Sequence, residues 1–189
     1  MDSRDLIQGY SYWTFSDIFE ENYFSSVPFH GGFGLLTING IAKPPYRGYE
    51  LLHRLGNNIL PVQGQHPTVG AWVVNKSTDL NILLTNSVLP RHPVKTERIN
   101  IRIDNITQIE KAFIERIDNT HANARAGWEQ MGKPAYLNAA QVANLQSASQ
   151  LIKEPLLIKL ENNSVSMEIE LPPQATALVT LKLNEVSER

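Results

Sequence analysis

In residues 98–103, Ile99, Ile101 and Ile103 alternate with Arg98, Asn100 and Arg102. Residues 165–171 do the same, with Val165, Met167, Ile169 and Leu171 set against Ser166, Glu168 and Glu170. A strand turns successive side chains to opposite faces, so a two-residue period buries one face and wets the other, as an antiparallel sheet allows. Five further strand-like runs, 68–74, 80–85, 111–117, 156–160 and 175–183, have Asn, Asp, Gly, Pro or Ser between most of them. Seven such runs predict an antiparallel β-sandwich from residue 57 to 189. Residues 123–131 and 138–151 interrupt the series and predict a short helical insertion. In the second of these, Val142, Leu145 and Ala148 recur at three-residue spacing, and Asn138 stands where a helix cap belongs.

Residues 1–56 have a different texture, holding eleven of the fifteen Phe, Trp and Tyr residues. Residues 45–55 predict a helix, with Pro44 and Pro45 suited to its first turn and Gly56 to its end. Residues 9–15 are a short β-like run that opens into the acidic, aromatic loop Ser16-Asp17-Ile18-Phe19-Glu20-Glu21-Asn22. A flat ring beside carboxylates suits a carbohydrate: the ring packs on the C–H face of the sugar and the carboxylates accept from its hydroxyls. A core strand followed by a solvated acidic turn has the same pattern, and the pattern alone leaves both readings open. Strand, loop, hairpin and helix in this order also match one unit of an α/β barrel. Functional groups of that fold sit at the C-terminal ends of its strands, where Asp17, Glu20 and Glu21 fall.

Several function classes are set aside on composition. With 17 Lys+Arg against 19 Asp+Glu, the chain has no basic stripe for phosphates, so no nucleic-acid partner is expected. Runs such as Ala71-Trp72-Val73-Val74 are too short to span a bilayer, and no membrane partner is expected. Residues 1–5 lack the cationic and apolar regions of a signal peptide, which predicts a cytoplasmic location. There is no cysteine, and the five histidines show no close pair at metal-ligand spacing, so neither a metal nor a cofactor is expected. Gly31-Gly32-Phe33-Gly34 reads as a glycine-rich turn, since it lacks both the phosphate-loop lysine and the dinucleotide spacing. No Gly-x-Ser-x-Gly elbow is present. Arg91, His92, Lys95, Arg98 and Arg102 read as a solvated sheet face, and Asn162-Asn163-Ser164 as a chance glycosylation match.

Three stretches carry a family resemblance. Tyr12-Trp13-Thr14-Phe15-Ser16-Asp17-Ile18-Phe19-Glu20-Glu21, then Pro28-Phe29-His30-Gly31-Gly32-Phe33-Gly34-Leu35-Leu36, then Ile41-Ala42-Lys43-Pro44-Pro45, resemble the C-terminal part of family 39 glycoside hydrolases. These are β-xylosidases, with α-L-iduronidase as a relative. The resemblance continues through Arg116-Ile117-Asp118 and His121-Ala122-Asn123 to Trp128-Glu129-Gln130-Met131-Gly132-Lys133-Pro134. It implies a (β/α)8 barrel packed against a β-sandwich. Residues 1–56 would be the last barrel strand, its loop and its helix, and residues 57–189 the accessory sandwich.

A whole barrel of this type needs about 250 residues. Retaining glycosidases use two carboxyls about 5–5.5 Å apart, and the resemblance implies that both belong to earlier strands than any here. Glu20 and Glu21 are neighbours whose side chains diverge, so neither is given a catalytic role, and the chain alone is expected to be inactive. What carries over is binding of a xylose-containing oligosaccharide. Trp13 would be the aromatic wall, Glu21 and Glu20 would hold hydroxyls, and Phe29 and His30 would line the rim. Asp17 stands open between ordering the loop and touching the ligand, as His30 does between rim and structural hydrogen bond. The competing reading is a non-catalytic sandwich for carbohydrate binding or assembly. A barrel fragment with exposed strand edges and aromatic surface also predicts a homo-oligomer.

Overall fold

The computed structural model describes residues 8–18, 27–89 and 91–184. After helix α1 (Pro44–Arg54) come strands β1 (Asn58–Leu60), β2 (Val69–Lys76), β3 (Asp79–Asn86), β4 (Glu97–Asp104) and β5 (Lys111–Ile117). Helices α2 (Ala124–Gln130) and α3 (Ala139–Ala148) follow, then β6 (Glu154–Pro155), β7 (Lys159–Glu161), β8 (Ser164–Leu171) and β9 (Ala175–Lys182). One sheet has the order β1-β2-β3-β9-β5-β6 and the other β4-β8-β7, with every pairing antiparallel. The protein is thus mainly β, an antiparallel sandwich with a two-helix insertion, as its alternation predicts.

The sandwich core forms where the alternating faces meet. Ile99, Ile101 and Ile103 of β4 stand opposite Ile169, Met167 and Val165 of β8. They pack on Leu80, Ile82 and Leu84 of β3 and on Ala177, Val179 and Leu181 of β9. Strands β3 and β9 are covered on their other face as well. There Leu83 and Leu178 pack with Leu51 of α1, Ile117 and Ala122. Burying a leucine in this way contributes roughly 1.5–3 kcal/mol, so α1 is held to the outer face of the larger sheet.

Three elements differ from their sequence expectation. The run 156–160 is not one strand but the crossing between sheets: β6 pairs with β5, β7 pairs with β8, and the exposed Leu157 lies between. Residues 9–15 form no strand, because the hairpin around residues 35–43 reaches the segment from Thr14 onward. Leu35 N–H donates to Thr14 O at 3.0 Å, Leu36 N–H to Phe15 O at 3.0 Å and Asp17 N–H to Leu36 O at 2.9 Å, giving one parallel bridge, Ser16 to Leu36. Gly56 does not end α1 through a left-handed turn, since the cap is Leu55 at φ −62° and ψ 152°. Gly56 instead lets the chain pass close to β2, where a Cβ would come 2.7 Å from Asn75 O.

Asn162 and Asn163, at φ 50° and 58°, form the two-residue turn joining β7 to β8. Positive φ at both positions is what a type I′ hairpin requires, and Asn tolerates it. In the insertion, Asn138 Oδ1 accepts from Gln141 N–H at 2.9 Å while Gln141 Oε1 accepts from Asn138 N–H at 3.0 Å. This reciprocal capping box fixes the start of α3.

Candidate functional site

The site is built on the segment that follows Trp13. The Asp17 carboxylate is wholly enclosed (0% exposed side chain). Its Oδ1 accepts from Gly34 N–H at 2.9 Å, and the Lys43 ammonium donates to Oδ1 at 2.8 Å and Oδ2 at 2.9 Å. Lys43 Nζ also donates to Gly32 O at 2.7 Å. Gly32 and Gly34 of the glycine-rich turn owe their place to this approach. A Cβ at Gly34 would lie 2.3 Å from the Asp17 nitrogen, and one at Gly32 would lie 2.8 Å from Asp17 Oδ1. His30 Nε2 stands 3.9 Å from Asp17 Oδ2 at the edge of the same cluster.

Around this buried knot the surface is aromatic. Trp13 is 63% exposed and joined to Thr14 by a cis peptide bond; Tyr10, Phe15 and Ile18, close to it in the chain, and Phe33 in the glycine-rich turn are exposed as well. Such a face offers ring surface to an apolar or carbohydrate partner. Among the described residues before α1, Asp17 is the one carboxylate, and both its oxygens are engaged. Glu20 and Glu21 lie outside the described residues.

Phe29 is placed differently from its neighbour His30. It is 8% exposed, its ring centroid is 5.5 Å from that of Trp128, and Ile41, Ala124 and Leu145 complete the cluster. Its φ of 56° is uncommon for an aromatic residue and is held by this packing. The ring therefore faces the helical insertion rather than a rim. Lys43 is the residue that sequence reasoning missed. Its signal is its place immediately before Pro44-Pro45, where a cation faces the positive end of the helix and a Ser, Thr, Asp or Asn is the usual cap.

A second polar cluster lies between β5 and the insertion, beside a cavity of about 430 Å³ lined by Arg116, His121, Asn123 and Gln150 among others. His121 Nδ1 is 2.8 Å from Asp118 Oδ2, His121 Nε2 is 3.6 Å from Glu154 Oε1, and Arg116 pairs with Glu154. Burial acts to raise the Asp118 carboxyl. The Thr120 N–H, the His121 ring, the Thr120 hydroxyl and the His121 N–H outweigh it and hold the group below its ordinary 3.8. The Arg116 guanidinium and the His121 ring face two carboxylates here, and the arrangement ties the loop that enters α2 to β5 and β6. Among the described residues no group of His, Asp and Glu is placed to hold a metal ion.

The chain thus presents an aromatic surface at the end of an extended segment, followed by a helix packed on an antiparallel sandwich. The model of the family "Glycosyl hydrolases family 39" matches residues 1–158, and the chain belongs to that family. It is 39% identical over 186 residues to a β-xylosidase of Caldicellulosiruptor saccharolyticus, covering 96% of this chain and 38% of that protein. It is 32% identical over 148 residues to a β-xylosidase of Geobacillus stearothermophilus, covering 76% of this chain and 28% of that protein. The chain therefore spans less than half the length of these curated relatives. In solved structures, the fold matches a GH39 enzyme from Xanthomonas axonopodis pv. citri with a TM-score of 0.74 at 23% identity, covering 96% of this chain and 38% of that one. It matches a monomeric β-xylosidase from Caulobacter crescentus CB15 with a TM-score of 0.72 at 23% identity, covering 96% and 39%.

Proposed function

We propose that this chain is the C-terminal part of a retaining β-xylosidase acting on terminal β-xylosyl residues of xylo-oligosaccharides. Residues 1–56 contribute one wall of the sugar site and residues 57–189 form the accessory sandwich. The nucleophile and acid/base carboxyls, about 5–5.5 Å apart in a retaining enzyme, come from the remainder of the barrel. The observation that carries this reading is the 39% identity to a β-xylosidase across 96% of the chain, together with the 38% of that protein it spans. Exposed Trp13 supports it as the sugar-facing ring, and Glu20 and Glu21 as partners for hydroxyls.

The test is hydrolysis of an aryl β-xyloside by the full-length protein that carries this chain, beside the 189-residue chain alone. Turnover by the first and none by the second is expected, and turnover by the chain alone overturns the division of labour. In the full-length protein Trp13→Ala and Glu21→Ala lower kcat/KM; unchanged kinetics remove both residues from the site. Where the aromatic face is left uncovered it favours self-association, so the chain alone is expected to run as an oligomer in light scattering, and a monodisperse monomer counts against this.

A further inference from the structure

We propose that Lys43 is a positioning residue for the sugar site, a three-point clamp that holds the Trp13 segment against the His30 loop; this rests on the xylosidase reading above. An ammonium has three N–H donors, and all three of Lys43 are engaged, by Asp17 Oδ1 at 2.8 Å, Asp17 Oδ2 at 2.9 Å and Gly32 O at 2.7 Å. The two ends belong to different loops. Asp17 lies between Trp13 and the pair Glu20-Glu21, and Gly32 lies two residues past His30. One cation thus ties the segment that follows Trp13 to the loop that carries His30.

The position of Lys43 argues that the tip, not the backbone, is why lysine is there. It is the N-cap of α1 yet makes no side-chain cap, and it puts a cation at the positive end of the helix. The helix would start better with Ser or Asp. The side chain instead crosses to a carboxylate 26 residues away in sequence and is left only 12% exposed. Arginine would fit less well, because a planar fork suits two parallel acceptors better than three convergent ones. The clamp also explains the glycines, since a Cβ at Gly32 or Gly34 would push Asp17 off the ammonium.

Labelling the chain with 5-fluorotryptophan gives three fluorine resonances, from Trp13, Trp72 and Trp128, and Trp13→Phe assigns the first. In Lys43→Met the Trp13 resonance is expected to shift or broaden while Trp72 and Trp128 hold their positions. Asp17→Asn combined with Lys43→Met leaves no buried carboxylate unpaired, keeps an acceptor for Gly34 N–H and is expected to show the same selective change. An unmoved Trp13 resonance in both variants overturns the clamp. Loss of all three resonances in both also overturns it, making Lys43 a residue of general stability. In the full-length protein, Lys43→Met is expected to raise KM for an aryl β-xyloside about tenfold with kcat little changed, and Lys43→Arg to restore part of that. A KM within twofold of the unmodified protein counts against the clamp. Absent hydrolysis in the unmodified protein counts against the xylosidase reading instead, and the fluorine resonances then decide the clamp.

Discussion

Arg54 grips Glu115 from the last turn of α1, with Nη1 at 3.1 and 2.9 Å from the two carboxylate oxygens and Nη2 at 3.1 Å from Oε1. Glu115 lies on the outer face of β5 with its side chain 3% exposed, while Arg54 is 33% exposed. Removing the arginine strands a carboxylate that water reaches poorly, so the loss exceeds what a surface pair contributes. Arg54→Ala is expected to destabilise the chain by about 2 kcal/mol in urea unfolding, and Arg54→Met with Glu115→Leu by clearly less. Equal losses in the two would mean that the stranded carboxylate adds no cost and that loss of the ion pair itself accounts for the effect.

Phe29 and Trp13 are expected to separate stability from binding. Phe29 fills the cluster with Trp128 and Leu145, so Phe29→Ala opens a cavity and costs about 3–4 kcal/mol. Trp13 is exposed, and Trp13→Ala is expected to change stability by less than about 1 kcal/mol. Thermal unfolding of both variants, beside sugar hydrolysis by the full-length protein, checks the contrast. A Phe29→Ala protein of unchanged stability would return that ring to the rim.

How far the sequence reveals this structure depends on what covers each strand. β4 and β8 are buried on one face, so their two-residue period stands clear in Ile99-Asn100-Ile101 and Met167-Glu168-Ile169. In β3 the period is blurred at Ile82-Leu83-Leu84, because α1 covers the second face. β1 is three residues long, too short to show a period at all. The helical insertion was legible through Asn138 and its three-residue spacing, since capping is local chemistry. The candidate site was less so. The role of Asp17 depends on Lys43, 26 residues on, and the burial of Phe29 depends on a helix far down the chain, and neither relation leaves a local mark. The expectation that Trp13 faces a sugar comes from the family resemblance, and the structure adds that its side chain is exposed.

Asp118 gives the stability a pH dependence of known sign. Its carboxyl is held below 3.8 in the folded chain by the hydrogen bonds that overcome its burial. A depressed folded value stabilises the fold above the unfolded value, near 3.9, and the contribution is lost as pH falls through the folded one. The stability difference between the unmodified chain and Asp118→Asn is therefore expected to shrink as pH falls below about 4. Urea midpoints across that fall in pH measure it. A difference that grows as pH falls below about 4 would assign the effect to another group.

Gly34 and Gly48 are expected to respond to alanine in opposite directions. Gly48 sits inside α1 with nothing within 4 Å of an added Cβ, so Gly48→Ala removes a flexible residue from a helix and should stabilise by about 0.5–1 kcal/mol. At Gly34 the added Cβ would meet the Asp17 nitrogen and the Ser16 carbonyl carbon, both at 2.3 Å. Those are backbone atoms beside the parallel bridge from Ser16 to Leu36, so that bridge must open or the hairpin must shift. Gly34→Ala is expected to cost about 2–3 kcal/mol and, because the displaced residue is Asp17, to disturb the Trp13 fluorine resonance as Lys43→Met does. If Gly34→Ala lowers stability and leaves that resonance in place, the bridge and the clamp are independent of one another, and the orientation of Trp13 rests on the lysine alone.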